Sequence, residues 1–207
     1  MTTLLGSLPT AANPLRRTTP PTTLALLHPK GGVGRSTSVW QLGAELALRG
    51  QRVVLEDLDQ GRHLSRVFER HPLGLETLQL NATGPRDITI LDTAPEAQRE
   101  RALDYLRRSD WVLVPAKVEE ASLQALPMLL QWLQEARGAR LLGFLPTMYK
   151  PRRAEARYWL EELQRLATRH RTRVFEPIHD LASVAAWRLD SHPYARLADE
   201  VLIATRA

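Results

Sequence analysis

The chain has 207 residues, 43 % of them hydrophobic and 25 % charged, which suits one globular domain whose core needs no covalent staple. It has no cysteine, so disulfides, zinc–thiolate sites and iron–sulfur clusters are excluded, and a reducing compartment such as the cytoplasm fits. A formal charge of +5 and an isoelectric point near 10.1 favour an anionic partner, although net charge speaks of solubility and non-specific binding rather than of fold.

Residues 1–22 carry Pro9, Pro14, Pro20 and Pro21 among threonines, with no helical or alternating apolar period. They are expected to form a flexible tail, in which Arg16 and Arg17 could touch DNA or a partner, and the remaining residues, 23–207, one domain. The apolar run TLALLHP (23–29) reads as a strand that ends at a glycine-rich loop. After the loop, Val39, Trp40, Leu42, Leu46 and Ala47 recur at helical spacing before a stop at Gly50. Four more compact apolar runs follow, at 52–59, 87–92, 110–116 and 140–147, each leading into a helical pattern. Residues 153–169 form the clearest helix, with Trp159, Leu160, Leu163, Leu166 and Ala167 on one face and Arg157, Glu161 and Arg165 outside. Alternating strands and helices predict an α/β fold: a single doubly wound, mostly parallel sheet flanked by helices, with its ligand at the carboxyl ends of the strands.

The loop reads PKGGVGRST from Pro29 to Thr37. A strand–loop–helix of this kind offers consecutive backbone N–H groups and a helix N-terminus to a phosphate. Gly31, Gly32 and Gly34 let the backbone curl close to such a ligand, Ser36 falls where a hydroxyl holds magnesium, and Thr37 falls where it reaches an inner phosphate. Arg35 stands where this chemistry normally uses lysine, so charge is kept while a wide planar fork replaces a compact ammonium. Asp57, Asp59 and Asp92 close two of the later apolar runs, the first two sharing one face of an extended segment.

Lys30-Gly31-Gly32-Val33-Gly34-Arg35-Ser36-Thr37 resembles the KGGVGK[ST][ST] signature of the ParA/MinD family of deviant Walker A P-loop ATPases. VVLEDLDQG resembles the family's second motif, without the usual proline after Asp59, and DITILDTAP its Walker B segment. SDWVLVPAKVEEASLQAL and LLGFLPTMYKPRRAEA resemble its later strands and loops. Only 32 residues separate Asp59 from Asp92 and no helix-turn-helix domain precedes the loop, so the likeness is to the small plasmid-type ParA partition proteins.

The resemblance implies a SIMIBI-like P-loop NTPase fold and the cofactors ATP and Mg2+. It implies that Asp92 holds magnesium through water, that Asp57 supports Ser36 and the metal shell, and that Asp59 orients the attacking water. Lys30 corresponds to the signature lysine that reaches the partner's nucleotide in an ATP-held homodimer, and Val33 and Arg35 complete the loop. Met148 and Pro177, on loops at strand ends, are candidates to pack against adenine. The same likeness implies non-specific DNA binding, a ParB-type centromere-binding partner, and a cytoplasmic, nucleoid-associated protein. Arg137 to Arg173 holds ten lysines and arginines against three acids, and Lys150, Arg152, Arg153, Arg157 and Arg169, with Arg188 beyond, are the expected DNA contacts.

Three other readings are weaker on the residues. No apolar run approaches the roughly 20 residues that span a bilayer, no signal-peptide core is expected, and the end segment YARLADEVLIATRA has too few bases for a MinD-like membrane helix. Lys30 argues against a metabolic enzyme such as a dethiobiotin synthetase. The serious rival is a nucleotide-held scaffold of the same fold in which Arg35 has slowed or ended hydrolysis.

Overall fold

The computed structural model describes residues 20–95, 98–189 and 191–206. The expected tail lies outside the described residues as far as position 19. The elements run β1 (Thr22–Leu26), α1 (Arg35–Leu48), β2 (Val53–Asp57), α2 (His63–Arg70), β3 (Leu78–Leu80), β4 (Ile88–Asp92) and α3 (Arg99–Arg107). They continue as β5 (Trp111–Lys117), α4 (Glu120–Leu123), α5 (Leu126–Ala136), β6 (Arg140–Thr147), α6 (Ala154–Arg169), α7 (Ala182–Ala185) and α8 (Ser191–Arg206).

The strands form one sheet in the order β3-β2-β4-β1-β5-β6, every neighbour parallel. This is the expected doubly wound parallel sheet, with one strand more than the apolar runs indicated. β3 is three residues long, too short to show a period, and pairs at the sheet edge with β2 alone. Leu24, Leu26, Leu55, Ile90, Leu113 and Val114 are buried on the sheet, as strands covered on both faces require. Trp40, Leu42 and Leu46 of α1 and Tyr194, Leu197 and Val201 of α8 pack in one cluster. Leu103 and Leu106 of α3, Leu129 and Trp132 of α5 and Leu163 and Ala167 of α6 pack in the other. Of the expected α6 face, Leu163 and Ala167 are buried while Trp159, Leu160 and Leu166 are half-buried.

Two close approaches aim the site. A β-carbon on Gly43 would lie 2.7 Å from Leu55 Cδ2, so glycine lets α1 sit close on β2. Beyond α6 the chain returns along β6: Arg173 O accepts from Phe144 N at 3.0 Å, and Ile178 N donates to Pro146 O at 2.8 Å. Gly143 permits this, with φ 155° and a β-carbon position only 2.8 Å from Arg173 O. Segment 173–180 is thereby delivered to the carboxyl end of the sheet, where Asp57, Asp92, Lys117 and Thr147 end their strands.

Candidate functional site

The loop between β1 and α1 turns on two glycines in the left-handed region, Gly32 at φ 74° and Gly34 at φ 78°, where a side chain is strained. Gly34 is the N-cap of α1, and neither a capping side chain nor an acid in the first turn occupies the helix end. Its backbone N–H groups therefore stay available to an anion, with Ser36 and Thr37 half-buried in the same turn. The loop is anchored at both ends. Buried Val33 accepts from Thr147 Oγ1 at 2.8 Å, and the Lys30 N–H donates to His28 Nδ1 at 2.9 Å. That bond places the imidazole proton on Nε2, which lies 3.2 Å from Ser122 Oγ. Burial, with Arg35 and Lys30 adding to it, pushes the His28 pKa down to about 4, so the ring is neutral at pH 7. His28 was not among the expected site residues, although a polar residue closing a buried apolar strand was a readable signal.

Beneath the loop lie the charges. Arg35 is 7 % exposed and Asp92 fully buried; Nε of the arginine is 3.7 Å from Asp92 Oδ1, and its Nη1 donates to His28 O at 3.1 Å. Neither Asp92 oxygen, nor Arg35 Nε, has a hydrogen bond of good geometry. Burial raises the Asp92 pKa to about 7; the Ser36 hydroxyl and the Arg35 charge oppose the rise, while Asp57 and Asp59 add to it. Burial also lowers Arg35, against the pull of Asp92 and Asp59.

Asp57 and Asp92 are register partners across β2 and β4, so the two carboxylates are neighbours. The Asp57 carboxylate differs from expectation in its partners. Its Oδ2 accepts from Ser65 N and Oγ at 2.8 and 2.6 Å and its Oδ1 from Asp59 N at 3.2 Å, so it secures the start of α2, and it is Asp92 that Ser36 faces. Asp59 Oδ1 accepts from Gly61 N at 3.0 Å. Among the described residues no cluster of three or more His, Cys, Asp or Glu forms a ready metal cage. An orphaned carboxylate beside a serine hydroxyl instead fits magnesium, which takes one or two carboxylates and completes its shell with water and phosphate oxygens.

Lys30 is held within its own chain. Its Nζ lies 2.7 Å from Glu119 Oε1, and Lys117 Nζ lies 2.5 Å from Oε2 of the same carboxylate. The two lysines hold the Glu119 pKa below the usual carboxylate range. Glu119, absent from the expected site, is 89 residues from Lys30, and nothing local marks it.

Two hollows flank the loop. A small one, about 60 Å³, is lined by Gly34, Thr37, Thr147, Met148, Ile178, His179, Asp180, Leu181, Val184 and Tyr194. A more polar cleft of about 320 Å³ is lined by Lys117, Glu119, Met148, Lys150, Arg153, Glu155 and Asp180, among others. Met148 lines both and holds a positive φ of 52°, a strained conformation typical of functional sites. Pro177 does not line either hollow; its neighbour Ile178 does.

The six expected DNA contacts do not form one patch. Lys150, Arg152, Arg153 and Arg157 gather at the turn into α6, with Lys150 paired to Asp180 at 2.6 Å and Arg157 bonded to Pro151 O. Arg169 ends the same 16-residue helix, about 24 Å away at helical rise. Arg188 lies on the other face of the sheet, where its carbonyl accepts from Gln41 of α1.

Residues 24–194 match the CobQ/CobB/MinD/ParA nucleotide binding domain. The chromosome-partitioning ATPase Soj of Thermus thermophilus is 31 % identical over 175 residues, covering 62 % of this chain and 70 % of that protein. The cobyrinic acid a,c-diamide synthase of Mycobacterium smegmatis, solved with ADP and magnesium, has a TM-score of 0.73 at 22 % identity, over 90 % of this chain and 96 % of that one. A plasmid partition protein of Borrelia burgdorferi bound to AMPPNP has a TM-score of 0.71 at 17 % identity, over 90 % and 100 % of the two chains. At these identities the two structures show the fold alone.

The raised Asp92 pKa has a measurable consequence. With a pKa of about 7 the carboxyl is partly protonated at neutral pH, whereas a carboxylate serving a cation is ionised. Binding of a magnesium nucleotide therefore releases roughly one more proton from the wild type than from Asp92→Asn at pH 6, and the difference vanishes by about pH 8.5. Calorimetry in buffers of different ionisation enthalpy measures it; equal proton counts for the two proteins at pH 6 contradict this assignment.

Proposed function

The chain belongs to the CobQ/CobB/MinD/ParA nucleotide-binding domain family, and from that premise we propose that it is a partition-type ATPase. It binds ATP with Mg2+, dimerises on ATP, binds DNA without reading sequence and works with a ParB-type protein in the cytoplasm, on the nucleoid. The observation that carries nucleotide binding is the uncapped N-terminus of α1 under a two-glycine turn, set beside the orphaned Asp92 carboxylate, and the likeness to the partitioning ATPase Soj supports the partition role.

In this reading the backbone of Gly31 to Thr37 cradles the phosphates, with the Ser36 hydroxyl, Asp57 and Asp92 serving the metal shell. Magnesium, when bound, neutralises phosphate charge. Asp59 orients the attacking water from the loop after β2, where its Oδ1 accepts from Gly61 N. Met148 and Ile178 offer apolar surface to the base beside Gly34 and Thr37. Lys30 reaches the partner subunit's nucleotide after leaving Glu119, which retains Lys117 as its counter-ion, so the exchange strands no charge. Arg152, Arg153 and Arg157 supply phosphate contacts at the start of α6, and their attraction for DNA falls steeply with salt. Among the described residues no helix is long and apolar enough to cross a membrane.

Arg35 makes the protein a slow ATPase, closer to an ATP-held clamp than to a fast switch. Its guanidinium is engaged below the loop with His28 O and Asp92, and a fork of donors does not reproduce a compact ammonium between the outer phosphates. Ground-state binding survives on backbone N–H groups, while transition-state stabilisation loses aim.

Two outcomes follow. With magnesium and a slowly hydrolysed ATP analogue the protein shifts from monomer towards dimer in light scattering, and Lys30→Ala weakens the shift; no nucleotide-dependent change at any protein concentration contradicts the proposal. Arg35→Lys raises ATP turnover by on the order of 10–100-fold, and adding Asp59→Ala removes the gain. A wild type that already hydrolyses ATP as fast as Arg35→Lys refutes the role given to the arginine.

A further inference from the structure

Trp187 is a bulky residue at φ 56°, a backbone conformation that costs free energy and persists only where its surroundings impose it. It follows α7 in a tight, self-bonded turn: Ala186 N donates to Ala182 O, Trp187 N to Val184 O and Arg188 N to Ser183 O, at 2.9, 3.2 and 3.0 Å. Gln41 Nε2 of α1 donates to Arg188 O at 2.7 Å, which fixes the turn to the helix that begins at the phosphate loop. The indole meets two other rings. Its centroid is 6.1 Å from that of Trp40, edge-on at 89°, and 5.5 Å from that of His63, tilted by 57°.

These contacts join three parts of the site. Trp40 stands one turn along α1 from Thr37, which lines the small hollow. Leu181 and Val184, in the same turn as Trp187, line that hollow too. His63 is the first residue of α2, four beyond Asp59 and two before Ser65, which holds Asp57. The hollow measures only about 60 Å³, against the roughly 300–1,000 Å³ usual for a ligand pocket. Leu181 and Val184, the wall that a ring beside Met148 would press on, belong to the same self-bonded turn as Trp187.

We propose that Trp187 is a positioning residue: through His63 it sets the start of α2, and so the Asp57–Asp59 segment, according to whether the hollow beside Gly34 is filled. The identity of the filling group as a nucleotide base rests on the function proposed above; the grip of Trp187 on α2 does not. The link is a chain of packed rings between the α7 turn and the start of α2.

Hydrogen–deuterium exchange on the full-length protein tests it. Without nucleotide, Trp187→Ala and, separately, His63→Ala speed exchange at amides 60–67 by about tenfold, and Trp187→Phe restores most of the protection. His63→Ala also speeds exchange at 178–188 but leaves β5 and β6 as protected as in the wild type, a confinement that general loosening of the core does not produce. Adding ADP with magnesium protects 31–38 in all proteins but extends to 60–67 only where a ring remains at 187 and at 63. Unchanged exchange at 60–67 in both alanine variants, or equal loosening of β5 and β6, overturns the proposal. Failure of ADP to protect 31–38 in the wild type counts against nucleotide binding instead, and the nucleotide-free comparison still decides the role of Trp187.

Discussion

A guanidinium buried against a carboxylate at the carboxyl end of the sheet is the constraint around which the site is arranged. Arg35 and Asp92 are both out of water, 3.7 Å apart, with poor hydrogen-bond geometry between them. Desolvating two charges is expensive, and a pair so loosely joined recovers little of that cost, which is why burial pushes the carboxyl up and the guanidinium down. The arrangement stores free energy where a cation and an anion can release it. In the proposed function a metal ion would satisfy the carboxylate and a phosphate the loop, so ligand binding would stabilise this end of the sheet. Other polar groups at this end of the sheet are bonded: His28 to Lys30 N, Thr147 to Val33 O, and Asp57 to Ser65.

The topology explains why these groups meet. β1 lies at the centre of the sheet with β4 and β5 as neighbours, so the phosphate loop leaves between the strand that ends in Asp92 and the strand that ends at Lys117. One neighbour supplies the carboxylate below the loop; the other leads to Glu119, which holds Lys30 beside it. The return of 173–180 along β6, permitted by Gly143, closes the third side with Ile178 and Asp180. The Asp92 carboxylate, the Lys30–Glu119 pair and the hollow beside Gly34 are thus set by four consecutive strands of the sheet order, β4-β1-β5-β6.

What the sequence made legible was what is local. Apolar runs closed by acids announced β2 and β4, the spaced glycines announced the loop, and α6 announced itself by its period. β3 escaped because three residues carry no period. Glu119 and Trp187 escaped because their partners are distant along the chain and the residues themselves look like ordinary loop and core positions. The expected DNA contacts are near in sequence but spread in space, since the length of α6 separates Arg153, its N-cap, from Arg169, its last residue. Asp57 was placed on the right strand end, but its bonds to Ser65 and Asp59 depend on how α2 packs, which no spacing in the sequence encodes.

The central claim is that backbone geometry, with Asp92 and Ser36, makes a nucleotide site even though arginine has replaced the loop lysine. Calorimetric titration of the purified protein with magnesium and a slowly hydrolysed ATP analogue tests this most directly. Saturable binding of one nucleotide per chain, lost when Gly34 is replaced by valine at its φ of 78°, is the predicted result; no saturable heat with millimolar nucleotide contradicts it.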